Sequence, residues 1–183
     1  MSRTTTCPFI LLLALLLCAP GVRADDAARA KAASLVDAAI QLTNSDQAVK
    51  MLWEATNIDP AFSEAYIYLG LYYNSREDFA HVVQVYKKLV QYHPNEISAY
   101  LNIGEAYMSF NPPHYEDALP YYQKAYALDP HNSFAALRIG ELLAHNGDRA
   151  GALRYLKQAS ADTSANPTVA AEASRQLKQI AAF

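Results

Sequence analysis

Apolar and small side chains recur along this chain at helical spacing, in short stretches separated by proline or polar turns. Within 63–96, Tyr66, Leu69, Gly70 and Tyr73 fall at i, i+3, i+4 and i+7, and Val82, Tyr86 and Leu89 make a second stripe. Residues 97–132 repeat the arrangement with Tyr100, Ile103, Gly104 and Tyr107, then Ala118, Tyr122 and Ala125. A further copy, 133–166, carries Ala136, Ile139, Gly140 and Leu143, then Ala152, Leu156 and Ala159. Upstream, 29–62 is a weaker copy: Leu35 and Ala39, then Ala48, Leu52 and Ala55, closed by Pro60. Each copy predicts two amphipathic helices. Beyond them, 168–183 sets Val169, Ala173, Leu177 and Ile180 on one stripe, which predicts a single C-terminal capping helix.

The copies keep a common period. Asp59-Pro60, His93-Pro94 and Asp129-Pro130 are separated by 34 and then 36 residues, and Gly70, Gly104 and Gly140 by the same 34 and 36. Glycine inside a helix costs about 1 kcal/mol against alanine. Its return at one helical position therefore predicts that a neighbouring backbone passes too close for a side chain. Alanines of the second helices are expected at the same crossing, with Tyr and Leu filling the space between. Each proline ends a second helix, its predecessor extended. One hairpin cannot bury its own apolar face, so copies must stack. Pro120, beyond the first turn of its helix, predicts a kink.

This pattern resembles the tetratricopeptide repeat, over about 29–164. The resemblance implies small residues at the eighth, twentieth and twenty-seventh positions, large ones at the fourth, seventh, eleventh and twenty-fourth, and proline at the thirty-second. It implies an all-α fold, a right-handed superhelical solenoid of antiparallel helix pairs spanning 25–167. Three departures stand out. Val36 replaces the small eighth residue of the first copy, so that pair should sit less closely. The link Phe110-Asn111-Pro112-Pro113-His114 is two residues longer than usual. Ser164 holds the last closing position, with the proline delayed to Pro167.

The N-terminus has another character. After Arg3, residues 9–18 contain no polar group; Pro20-Gly21 should break any helix, and Val22-Arg23-Ala24 suits cleavage after Ala24. A secretory signal over 1–24 is expected, the run being about half the roughly 20 residues a membrane-spanning helix needs. An uncleaved anchor, or acylation at Cys18, is the alternative. Both cysteines, Cys7 and Cys18, lie in this segment, so the mature chain would have no disulfide and no thiolate metal site. Its loss would also change the formal charge from −3 to −5. Export to a periplasm follows, with no membrane association after cleavage.

Candidate chemistry is sparse. Composition is that of a globular domain, 52% hydrophobic and 18% charged, without a basic patch for nucleic acid. His81, His93, His114, His131 and His145 show no i, i+4 metal spacing, and no phosphate loop or nucleophile elbow occurs. Glu77-Asp78 and Glu116-Asp117 open second helices, where acids complement the helix dipole. No catalytic residue, metal or cofactor is expected. Of the 13 tyrosines, Tyr66, Tyr73, Tyr86, Tyr100, Tyr107 and Tyr122 fall on core positions. Tyr68, Tyr72, Tyr92, Tyr115, Tyr121 and Tyr126 do not, and some should lie exposed, where a second contact surface is an option.

The resemblance places a ligand groove on the first helices. There it implies Ala33, Asp37 and Ile40; Ile67, Tyr68, Leu71 and Asn74; Leu101, Asn102, Glu105 and Met108; Phe134, Leu137, Arg138 and Glu141. Ile67, Leu71, Leu101, Phe134 and Leu137 should form an apolar row facing solvent, unless the superhelix buries it. Relatives that clamp a C-terminal carboxylate use Lys, Asn and Arg; here only Asn102 and Arg138 match. The expected partner is a protein or peptide with a largely apolar segment, anchored by Asn102 and Arg138, with Glu105, Glu141 and Asp37 favouring a basic residue. An envelope, secretion, pilus or cytochrome assembly adaptor is the leading expectation. A self-associating, homo-oligomeric scaffold is the alternative.

Overall fold

The computed structural model describes residues 20–42, 45–161 and 166–181. The apolar run 9–18, both cysteines and Ser164 lie outside them. Among the described residues there are nine helices and no strand. The chain divides into two compact units, 1–62 and 63–183.

In the first unit, α1 (Pro20–Gln41) packs on α2 (Asp46–Ile58). The described residues begin at Pro20, already within α1. The helix therefore runs through the expected cleavage point. Ala32, Val36 and Ala39 are buried, as are Ala48, Leu52 and Ala55 of α2. Val36, in place of the small residue, is itself buried in this pair. Ser45 caps α2, its hydroxyl accepting from the Ala48 N–H at 3.1 Å. At the other end Asp59 is extended, and its carboxylate accepts the Ala61 N–H at 3.0 Å, which turns the chain at Pro60.

The second unit holds three hairpins and a last helix: α3 (Ser63–Ser75) with α4 (Phe79–Tyr92), α5 (Ile97–Met108) with α6 (Tyr115–Leu128), α7 (Ser133–His145) with α8 (Arg149–Ala161), and α9 (Pro167–Ala181). From α4 to α9 each helix packs on the one before it, so these hairpins form a continuous stack. Leu69, Ile103 and Ile139, at one register of the first helices, are fully buried. Val82, Tyr86 and Leu89, Ala118, Tyr122 and Ala125, and Ala152, Leu156 and Ala159 are buried on the second helices. Burial of each large side chain stabilises by about 1.5–3 kcal/mol.

The glycines are equivalent, but for a different reason than expected. A Cβ on Gly70 would lie 2.5 Å from the Tyr86 ring, one on Gly104 2.6 Å from the Tyr122 ring, and one on Gly140 2.7 Å from Leu156. A side chain of the same hairpin's second helix fills the space, not a passing backbone. The glycines thus seal each hairpin internally; they are not contacts between successive hairpins.

The links converge on one bond. The N–H of Asp78 donates to the Tyr73 carbonyl at 2.9 Å, that of His114 to Tyr107 at 2.9 Å, and that of Asp148 to Leu143 at 2.8 Å. The longer middle link therefore delivers its second helix in the same register. Phe110 and His114 stack within it, centroids 4.6 Å apart. Asp78 and Asp148 cap the following helices through their carboxylates; Glu116 and Asp117 sit in the first turn of α6. Pro120 lies on the exposed side of α6, which runs through it as a single helix. Pro167 opens α9 and does not close the fourth copy, with Asn166 as its cap. Val169 and Ala173 of α9 are buried against α7 and α8, with Leu177 and Ile180 packed alongside.

Candidate functional site

The first helices α3, α5 and α7 present equivalent positions that their hairpins do not use for internal packing. Three registers matter: Ile67, Leu101 and Leu137; Tyr68, Asn102 and Arg138; Leu71, Glu105 and Glu141. The expected apolar row across them is not what the unit builds. Ile67 and Leu71 are 38% and 57% exposed, and Tyr68 is exposed beside them. Leu101 and Phe134 are half-buried: both pack against the cluster around Tyr122 and Ile139, Leu101 also against that of Ala125 and Ala135, and Phe134 against that of Leu137 and Val169. Leu137 is only 5% exposed, because it joins the cluster that α7 and α8 form with Val169 and Ala173 of α9. The solvent-facing apolar surface is therefore concentrated on α3. In the first unit, Asp37 and Ile40 are exposed and Ala33 is half-buried.

On α5 and α7 the face is polar and already paired. Arg138 donates through Nε to Glu105 at 2.8 Å and through Nη2 to its second oxygen at 2.7 Å, while Nη1 donates to Glu141 at 2.9 Å. This is a two-pronged guanidinium–carboxylate pair with a third bond on the same helix. The Tyr122 hydroxyl donates to Glu105 from α6. Gln176 of α9 donates to Glu141 at 2.6 Å and to Glu172 at 2.7 Å. One polar chain thus joins α5, α6, α7 and α9. The Arg138 guanidinium also lies 5.1 Å from the Phe134 ring centroid.

The environment fixes the charge states of the donors. Burial alone would lower the Arg138 pKa, but the hydrogen bonds and charges of Glu105 and Glu141 more than offset it, and the guanidinium stays charged. Burial, then the hydrogen bond to Glu105, raises the Tyr122 hydroxyl, so it remains a donor.

The expected anchor residues already have partners. Arg138 donates to two carboxylates, and Asn102 donates to the Ser98 carbonyl one turn back at 2.8 Å. Three of the five guanidinium N–H groups of Arg138 and one of the two amide N–H groups of Asn102 are used in these bonds. Asn74 is exposed and Met108 half-buried. The pairing of Arg138 with Glu141 was visible as an i, i+3 spacing. Its pairing with Glu105, and the parts played by Tyr122 and Gln176, cross between helices and leave no local signal. Among the described residues, no group of three His, Cys, Asp or Glu side chains is placed to hold a metal ion. No described helix is long and apolar enough to cross a membrane.

Stacked helical hairpins, each sealed by a small residue against its own second helix, define a helical-repeat fold with an open first-helix face. Residues 114–180 match the family model described as tetratricopeptide repeat. Tetratricopeptide repeat protein 21A of Mus musculus is 31% identical over 125 residues, 68% of this chain but 9% of that relative's length. Among solved structures, the TPR2B domain of yeast Sti1 in complex with pHsp70 is 21% identical with a TM-score of 0.58, over 66% of this chain and 96% of that one. PcrH in complex with the chaperone binding region of PopD is 22% identical, TM-score 0.59, over 65% and 90%. A MamA structure gives 17% identity and a TM-score of 0.64 over 86% and 88%. The chain is thus similar to tetratricopeptide-repeat proteins, and its fold is the all-α helical repeat of that class.

Proposed function

We propose that this protein is a non-catalytic scaffold that takes hold of a segment of another protein along the first-helix face of residues 63–183. One observation carries the reading: Ile67, Tyr68 and Leu71 are exposed together on one stripe of α3, where burial inside the hairpin would otherwise be available to large apolar groups. Two similar folds, Sti1 TPR2B and PcrH, were solved in complex with other proteins or their parts. Such a face receives an extended or helical segment by apolar contact, with the paired charges of α5 and α7 alongside.

The leader-like composition of 1–24 supports a setting outside the cytoplasm, most simply a periplasm. There the scaffold serves assembly of an envelope, secretion, pilus or cytochrome system. Affinity capture from envelope extract tests this. The unchanged protein should retain a discrete partner, and the double variant Ile67→Glu/Leu71→Glu should lose it while keeping its helical circular dichroism. Equal capture by both proteins refutes the assignment of the face, and an N-terminus retained in the cytoplasmic fraction refutes the setting.

A further inference from the structure

Resting on that reading, we infer that the occupant of the face is an internal segment of a partner, apolar at one end and bearing Lys or Arg at the other, and not a free C-terminal carboxylate. The argument starts from register. Leu71, Glu105 and Glu141 are the same position in three successive hairpins, and so are Tyr68, Asn102 and Arg138. Read from α3 to α7, the face passes from exposed apolar groups to carboxylates.

Charge then sets the sign. Glu105 and Glu141 share one guanidinium, which leaves one formal negative charge on the α5–α7 cluster. Glu172 of α9, linked to Glu141 through Gln176, is paired with Arg175 and leaves that net charge unchanged. An approaching anion therefore meets a guanidinium that already faces two carboxylates. An incoming anion meets a net negative region, whereas an ammonium or guanidinium group meets unmatched charge on Glu105 and Glu141, whose side chains remain 37% and 20% exposed. The exposed apolar patch lies two helices from that charge in chain order, so the complementary ligand is bipolar.

The test is a selection from a library of random 12-residue peptides, blocked at both termini, against the purified protein. Retained peptides should combine Leu, Ile or Phe at one end with Lys or Arg at the other. Replacing the basic residue of a selected peptide by Glu should weaken binding about tenfold by fluorescence polarisation. Glu141→Gln keeps the two-pronged Glu105–Arg138 pair and removes the excess charge. It should cut that discrimination to about threefold or less.

Selected peptides without charge preference, or with acidic residues, overturn the inference; if Ile67→Glu/Leu71→Glu still abolishes their binding, the scaffold reading survives it. No peptide retained overturns both. A tighter complex when the same peptides carry a free C-terminal carboxylate also overturns the inference. So does a dimer that becomes monomeric in Ile67→Glu/Leu71→Glu, which would assign the face to a second copy.

Discussion

Two sets of equivalent positions in the second unit behave in opposite ways. Gly70, Gly104 and Gly140 do one job three times, each leaving room for a side chain of its own second helix. Ile67, Leu101 and Leu137 share a register just as strictly, yet one is exposed, one half-buried and one buried. The glycine contact lies within one hairpin, between its first and second helix, so it recurs wherever the hairpin does. The first-helix face is set by what lies beside it, and the copies do not have the same neighbours. Position in the repeat therefore predicts core and does not by itself predict surface.

The largest expected effect probes the interior. Tyr122 is fully buried, its ring against Gly104 and its hydroxyl on Glu105. Tyr122→Ala should cost about 3–5 kcal/mol in urea denaturation, through the cavity and the lost bond together. Tyr122→Phe isolates the hydroxyl and should cost about 1–2 kcal/mol, since the acceptor is a partly exposed carboxylate. A loss below about 1 kcal/mol for the alanine variant would mean that the hairpin interior is not the rigid unit described.

A smaller effect, with a change of sign, tests why the glycine is there. Gly104→Ala gains about 1 kcal/mol of helix propensity but drives a methyl into a ring that has nowhere to go. The net result should be a loss of about 1–2 kcal/mol. Once Tyr122→Ala has removed the ring, the same Gly104→Ala change should become stabilising by about 1 kcal/mol. If it destabilises in both backgrounds, a neighbouring backbone and not the Tyr122 ring is the obstacle, as the spacing alone suggested.

Much of the fold was legible for this reason. The hairpin registers, the helix-ending Asp-Pro and His-Pro steps, and the capping helix all follow from local constraints that recur with the period. The link from Phe110 to His114 looked like a disruption, but the His114 N–H restores the bond its shorter counterparts make. The site was less legible. Leu137 appeared exposed because the capping helix was predicted as an element without its footprint on α7. The pairing of Arg138 with Glu105 had no local signal, because Glu105, 33 residues earlier, is brought to it only by stacking of hairpins.

The smallest expected effect is the sharpest test of the surface side of the comparison. Leu71 is 57% exposed on α3, and its position is not one that closes the hairpin. Little apolar area is returned to water when it is shortened, and alanine is a better helix former than leucine by only a few tenths of a kcal/mol. Leu71→Ala should therefore leave stability within about 0.5 kcal/mol of the unchanged protein. Leu69→Ala, two residues earlier on the same helix and fully buried, should cost about 2–5 kcal/mol. A leucine that adds nothing to folding, on a helix whose neighbouring leucine is indispensable to it, is held there by something other than the fold. If Leu71→Ala instead destabilised the protein as Leu69→Ala does, the α3 face would be ordinary core and the case for an occupant would collapse with it.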